Sequence, residues 1–345
     1  MASRSSRPTM QDVADRVGVS KATVSLVFRK APGVGDKTRE DVLRAADDLG
    51  YRMNRAAALM TARRSHLLGV SAQISNSFHA EIVENIVTEA DLVGYEVVLG
   101  AVTPTHGEER VIETLIDFRC EGMLLIGPEL PGTSISNLGN RLPTVVIGRR
   151  VGVGSTDVVR SNDGRGIAGV VDHLVELGHE NVVHVAAGRG VIAGDRRRGF
   201  EQAMRRHGFG TEGAVLDAGD FTEEAGMEAA RSLLESELPT AVVCANDRLA
   251  VGVLEVLRRK GVDIPGEVSV TGYDDSILAR MGNVDLTTVS QQPAEQARQA
   301  IQAVVSRLDR GRTDRVSKTL TPEIVVRKTT AAPRAGRHSG QARGG

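Results

Sequence analysis

Cysteine is scarce: 345 residues contain two, Cys120 and Cys244, with no metal-ligand spacing around either. Two buried thiols in a cytoplasmic protein fit this usage better than a disulfide or a zinc site. Long apolar runs are also missing, and none approaches the roughly 18 residues needed to span a bilayer. The opening MASRSSRPTM is polar and has no apolar core of a secretory signal. A cytoplasmic location without a membrane partner is therefore expected. No catalytic or metal-binding constellation is legible, so neither enzyme activity nor a cofactor is expected.

The remainder is an ordinary globular composition, 41% apolar and 25% charged, long enough for two or three domains. Net charge is −1 but unevenly spread. Residues 1–66 hold 13 Lys and Arg against 7 Asp and Glu; the other 279 hold 30 against 37. A basic head on an acidic body suggests that the head meets a polyanion.

Residues 1–7 and 331–345 are rich in Ser, Arg and Gly and are expected to be disordered. From Leu67 onward short apolar runs alternate with amphipathic ones: LLGVSAQ, HAEIVENIVTEADLVG, YEVVLGA, GEERVIETLIDF, GMLLIG. A second series runs through RGIAGVVDHLVELG, NVVHVAA, RRRGFEQAMRRHG, TEEAGMEAARSLLES, TAVVCA, RLAVGVLEVLRRKG and VSVTGY. Strand–helix alternation of this kind predicts parallel sheets covered on both faces. The units are too many for one small sheet, so two α/β lobes with a cleft between them are expected. In such sheets ligands sit outside the carboxyl ends of the strands.

The stretch PTMQDVADRVGVSKATVSLVF, residues 8–28, reads as two short helices. Thr9 with Asp12 forms a capping-box pattern before Met10. Val13, Ala14 and Val17 share a face. Gly18 permits a tight reversal. Ser20 is a good N-cap for a second helix, whose Val24, Val27 and Phe28 point inward. The unit is a helix-turn-helix or a plain helical hairpin; the basic bias and a third helix, DKTREDVLRAADDLG, favour the former.

At this point the chain resembles the LacI/GalR family of bacterial transcription regulators. The resemblance rests on MQDVADRVGVSKATVS and GVGDKTREDVLRAADDLGYRMNRAA in the head. In the body it rests on HLVELGHENV, DRRRGFEQAM, PTAVVCANDRLAVGVLEVLRRKGVDIPGEVSVTGYDD and LTTVSQQP. It implies a helix-turn-helix head (8–53), a hinge helix and linker (54–66) and a two-lobed core like a periplasmic binding protein (67–330). The first lobe would hold about 67–159 and 290–318, the second about 160–289 and 319–330.

The resemblance also implies roles. Lys21 and Ala22 fall at base-reading positions; Lys21 can donate to guanine and Ala22 can touch a thymine methyl. Thr23 and Ser25 suit phosphates, which fix register without reading sequence. Leu26 stands where the family often has Arg, and Arg29 where Asn is usual, so the operator is expected to differ at that step. Asn54, Arg55 and Ala57 would lie against groove and backbone, and Met60 would be the minor-groove wedge. Met53 replaces a frequent Pro.

For the core, the implied effector residues are Asn76, Ser77, Phe78, His79 and Arg149 from the first lobe. Arg196, Asn246, Asp247, Asp274 and Gln291 come from the second. Arg, Asn and Asp offer directed hydrogen bonds to sugar hydroxyls, and Phe78 a face for a pyranose. Asp247 is also placed to cap the following helix, Asp275 to be structural, and Arg197 and Arg198 to be surface charges. Arg149 departs from the Asp of some sugar-binding members. A homodimer on a pseudopalindromic double-stranded DNA operator, probed by a carbohydrate effector, is the expected assembly. No apolar heptads follow Thr330.

Three other readings have sequence support. A corepressor-dependent regulator answering to a purine or another metabolite shares every feature above. A dehydrogenase would use Gly188-x-Gly190-x-x-Ala193 after a strand as a dinucleotide loop, but this is a lone match. A ligand-binding module without specific DNA binding would suit the core and leave the head unexplained.

Overall fold

The computed structural model describes residues 8–29, 31–52, 63–152 and 154–334. Contacts divide the chain into two compact units, Met1–Ser65 and His66–Gly345.

The first unit holds α1 (Met10–Val17), α2 (Lys21–Phe28) and α3 (Asp36–Leu49). The capping box forms: Thr9 N–H donates to Asp12 Oδ2 at 2.7 Å, and Asp12 N–H to Thr9 Oγ1 at 3.3 Å. Gly18 ends α1 at φ +74°, where a Cβ would be strained. Ser20 caps α2 through the Thr23 N–H. Val13, Ala14, Val24, Val27, Val42, Ala45, Ala46 and Tyr51 form the core, and Phe28 meets Tyr51 edge-on at 5.5 Å. The Arg39 guanidinium donates to the carbonyls of Val27 and Ala31, closing the end of α2.

The second unit starts with β1 (Leu67–Gln73), α4 (Ser77–Leu92), β2 (Glu96–Val102), α5 (Glu108–Asp117), β3 (Gly122–Ile126), α6 (Gly132–Arg141), β4 (Thr144–Ile147) and β5 (Asp157–Ser161). It continues with α7 (Asp163–Glu176), β6 (Val182–Ala186), α8 (Val191–Arg206), β7 (Val215–Asp217), α9 (Glu223–Leu234), β8 (Ala241–Cys244), α10 (Asp247–Arg259) and β9 (Ser269–Thr271). The last elements are α11 (Ile277–Arg280), β10 (Thr288–Ser290), α12 (Pro293–Arg310), β11 (Ser317–Leu320) and β12 (Glu323–Val325).

Two parallel sheets result. The first has strand order β11-β5-β4-β3-β1-β2, the second β7-β6-β8-β9; β10 and β12 form an antiparallel pair. Both sheets are covered on both faces. In β3, Leu124 and Ile126 join the layer of α4 and α12, while Met123 and Leu125 join that of α5 and α6. In β8, Val242 and Cys244 face one layer and Ala241 and Val243 the other. Continuous apolar strands suit this double burial.

The lobe limits need correction. β5 runs to Ser161 and β11 to Leu320, both within the first sheet, so 160–161 and 319–320 belong to the first lobe. The reason is pairing: Thr319 and Leu320 align with Arg160 and Ser161. The disordered tail also starts later than expected. Ala331 exchanges hydrogen bonds with Ser269 Oγ and accepts one from the His179 ring, and Arg334 pairs with Asp263. The disorder expected for 1–7 and the rest of the tail lies outside the described residues, as do Met53 and the hinge residues Asn54, Arg55, Ala57 and Met60.

Both cysteines are free and buried, and burial pushes the Cys120 thiol up to about 11. Among the described residues no helix is long and apolar enough to cross a membrane, and no His, Cys, Asp and Glu group could hold a metal ion.

Candidate DNA-binding surface and ligand cleft

On the head, the packing of Val24 and Val27 fixes which side of α2 faces out. Lys21, Ala22 and Arg29 are exposed, as is Leu26 at 38%. Thr23 and Ser25 are half-buried, and the Thr23 hydroxyl lies 2.9 Å from that of Ser20. The first turn of α2 thus carries Lys21 and Ala22 on an open surface with no acidic neighbour in that turn.

In the body, the carboxyl ends of both sheets border a cleft of about 640 Å³. That size suits a small organic ligand. From the first lobe, Asn76, Phe78 and His79 line it at the start of α4, and Arg149 after β4. From the second lobe come Arg196, Asn246, Asp274 and Gln291.

The cleft floor is organised by Arg196, which is 4% exposed. Its Nε donates to Asp163 Oδ1 at 2.9 Å, its Nη1 to the Ala245 carbonyl at 2.5 Å, and its Nη2 to Asp274 Oδ1 at 3.4 Å. The guanidinium stacks on Tyr273, 3.9 Å from the ring centre. Gln291 Nε2 donates to Asp274 Oδ1 at 2.7 Å. Burial pushes the Asp163 and Asp274 carboxyls up, and the Arg196 charge opposes it. A buried cation between two acids is held in one orientation.

Asn246 caps α10 by accepting from the Leu249 N–H at 2.9 Å, while its Nδ2 donates to the Phe221 carbonyl. Asn76 caps α4 through the N–H groups of Phe78 and His79. The His79 Nδ1 accepts from the Gln73 N–H at 3.3 Å, and burial with the nearby Arg248 lowers its pKa to about 4. It is therefore a neutral wall group at physiological pH.

Two expected residues do not line the cleft. Ser77 Oγ is buried without a partner. Asp247 is fully buried beneath the floor, and the cap it was expected to supply comes from Asn246. Its Oδ2 accepts from Ser276 N–H and Oγ, and its Oδ1 from Thr288 Oγ1. Burial and the Asp274 charge push Asp247 well above the usual carboxylate range. Asp275 is structural, paired with Arg327 at 2.6 Å. Arg197 and Arg198 are exposed and pair with Glu201 and Asp195. The lining also includes Gln73, Glu129, Arg189, Asp220, Phe221 and Arg248, which no local motif announces. Gly188 and Gly190 belong to the loop before α8, and Gly190 to the cleft wall.

Among the described residues two ionic contacts cross between the lobes. Arg280 of α11 meets Glu81 of α4 at 2.8 Å, and Arg150 grips Asp195 through two hydrogen bonds of 2.8 and 3.0 Å.

The chain is also similar to known proteins over both units. Residues 9–54 match the model of bacterial regulatory proteins of the lacI family, and residues 171–330 that of a periplasmic binding protein-like domain. The HTH-type transcriptional regulator DegA of Bacillus subtilis (strain 168) is 30% identical over 334 residues, covering 94% of this chain and 98% of DegA. The chain belongs to the LacI family. Among solved structures, the lac repressor dimer bound to operator and the anti-inducer ONPF matches with a TM-score of 0.81 at 26% identity, covering 95% of this chain and all of that one. The transcriptional regulator CelR–cellobiose complex matches at 0.70 and 29%, covering 94% and 100%. This LacI-family chain is thus a DNA-binding transcriptional regulator, with a helix-turn-helix head and a periplasmic-binding-protein-like core of parallel sheets.

Proposed function

We propose that the chain is a repressor whose operator affinity is switched by a sugar or sugar derivative held in the cleft. The observation that carries this reading is the floor built on Arg196, Asp274, Gln291 and Asn246, facing Asn76, Phe78, His79 and Arg149. Polyols need donors and acceptors held in fixed directions, and these side chains are held by ion pairs and caps rather than free to turn. Phe78 and Phe221 add apolar faces. The cellobiose complex of CelR, similar over nearly the whole chain, supports the same ligand class.

On the DNA side, Lys21 and Ala22 read base edges in the major groove, with Leu26 and Arg29 on the same exposed side. Thr23 and Ser25 hold phosphates. Asn54, Arg55, Ala57 and Met60 are proposed as hinge contacts on sequence alone, Met60 as the wedge. The working unit is a homodimer on a pseudopalindrome, as the lac repressor dimer on its operator suggests. The protein acts by binding, with no catalysed step, and its place of action is the cytoplasm.

Ligand in the cleft changes the operator affinity only through its unequal affinity for two arrangements of the lobes, typically worth about 1–3 kcal/mol. Glu81–Arg280 and Arg150–Asp195 span the lobes and must adjust when these move. The test is to incubate the full chain with sheared genomic DNA, with and without a pool of sugars, and to sequence what is retained. An enriched pseudopalindrome whose recovery changes with the pool is expected. Retention without any shared sequence contradicts the reading.

A further inference from the structure

The outer side of α2 is short of polar chemistry. Its sequence, KATVSLVF, holds no Asp, Glu, Asn or Gln. Val24 and Val27 are buried in the head core, and Phe28 packs at its margin. That packing turns Ala22, Leu26 and Arg29 outward along one face, at i, i+4 and i+7, with Lys21 beside them. Leu26 is 38% exposed and joins no apolar cluster among the described residues. A single exposed leucine is ordinary on a protein surface. This one is informative because of its surroundings: Ala22 one turn before it, a cation at each end of the helix, and no carboxylate on α2. A partner that fits this face is anionic overall and has apolar groups at the centre of the contact.

The major groove of double-stranded DNA is such a surface, and each base pair presents its own pattern there. Adenine is read by a bidentate Asn or Gln, and cytosine by an acidic side chain; α2 carries none of these. Lys21 and Arg29 can donate to guanine or to phosphates. The Thr23 hydroxyl is already 2.9 Å from that of Ser20, at the N-cap. What is left for Ala22 and Leu26 is the 5-methyl group of thymine, the apolar group of the groove floor. The two residues lie about 6 Å apart along the helix axis, close to the spacing of two base steps.

We infer that Leu26 is a specificity-determining residue that packs on a thymine methyl, with Ala22 on a neighbouring one, so that each operator half-site carries T·A pairs at the steps facing α2. The inference rests on the reading of α2 as the helix that enters the major groove. Leu26 discriminates by shape and by excluding water from the methyl group, without a hydrogen bond.

The test is selection of duplexes from a random library by the full chain, with and without the pool of sugars, followed by affinity measurements on the selected duplex. A pseudopalindrome with at least one invariant T·A pair in each half-site is expected. Replacing that thymine by deoxyuridine removes only the methyl group and should weaken wild-type binding by about fourfold. Leu26→Ala should melt at the wild-type temperature, because the side chain supports no core. It should bind the thymine and deoxyuridine duplexes equally at the step that Leu26 contacts. In a fresh selection Leu26→Arg should exchange that thymine for guanine. Half-sites without an invariant T·A pair, or in which deoxyuridine costs nothing at any thymine, would overturn the inference and leave DNA reading by α2 standing. A deoxyuridine penalty that persists unchanged in Leu26→Ala would overturn it as well, because another residue would then hold the methyl. No shared sequence in either condition would overturn both the inference and the reading on which it rests.

Discussion

Removing the guanidinium of Arg196 leaves Asp163 and Asp274 buried and facing one another without a cation. Breaking a buried pair in this way typically costs about 3–5 kcal/mol. Arg196→Ala is therefore expected to lower the urea midpoint strongly; an unchanged midpoint would show that the cluster is not ionised. His184 offers a pH test. It is fully buried, stacks on Phe200 at 5.1 Å, and bonds the Val243 carbonyl through Nδ1, leaving Nε2 unpartnered. Burial lowers its pKa from 6.5 to about 4. Below pH 6.5 the unfolded chain takes up a proton that the folded chain refuses until about pH 4, so stability present above 6.5 is lost as pH falls across that window. The loss is on the order of 3 kcal/mol. Melting curves between pH 7.5 and 4.5 should slope less steeply in His184→Asn than in the wild type, and equal slopes would contradict the assignment. These properties were not legible in the sequence. The sequence showed His184 only within the strand NVVHVAA, and Asp247 as an effector residue or a helix cap, because the groups that decide both cases arrive from segments far along the chain.

Among the elements, local signals were the ones that read well. The Thr9–Asp12 box and the Ser20–Thr23 cap each act over three residues, with Gly18 ending α1 between them, and the head follows these signals. The strand LLGVSAQ is β1 to the residue. Packing between elements was not readable. Gly252 sits mid-helix in α10, where sequence alone makes it a mild weakness. A Cβ there would lie 2.0 Å from the Glu223 carbonyl oxygen of α9, and one at Gly226 2.2 Å from that of Leu249. Gly252→Ala is thus expected to destabilise by about 1–3 kcal/mol, against the gain that alanine gives in an open helix. Urea denaturation measures the sign. α12, the longest of the described helices, and the strands β10 to β12 were also missing from the sequence alternation, because the chain crosses between lobes there and the strand–helix rhythm stops. On α2 the expected effect is electrostatic. Lys21→Ala should weaken operator binding and, if the contact is to a phosphate, lower the slope of log affinity against log salt by about one. Weaker binding to one base step alone would make it a base reader instead.

For the whole molecule, eight of the ten residues expected around the effector do line one cleft, although they come from six separate segments of the chain. They were readable because the family resemblance carries order along the chain, which physical spacing alone does not. Ser77 and Asp247 fell outside because their neighbours in sequence point into the cleft while they point beneath it. The lobes, their crossing ion pairs and the cleft belong to one unit, so a ligand there acts on both sheets at once. If this cleft controls DNA binding, Gln291 is the residue through which to test it. It touches Asp274 at the cleft floor and lies in the second unit, while α2 lies in the first. The measurement is operator affinity, on the fragment recovered from genomic DNA, across a titration with the sugar pool. The wild type should shift its affinity by about tenfold or more. Gln291→Ala should bind the operator equally well without sugars and need about tenfold more of them for the same shift. Operator affinity that no pool component alters, or a Gln291→Ala midpoint equal to the wild type, would contradict the claim.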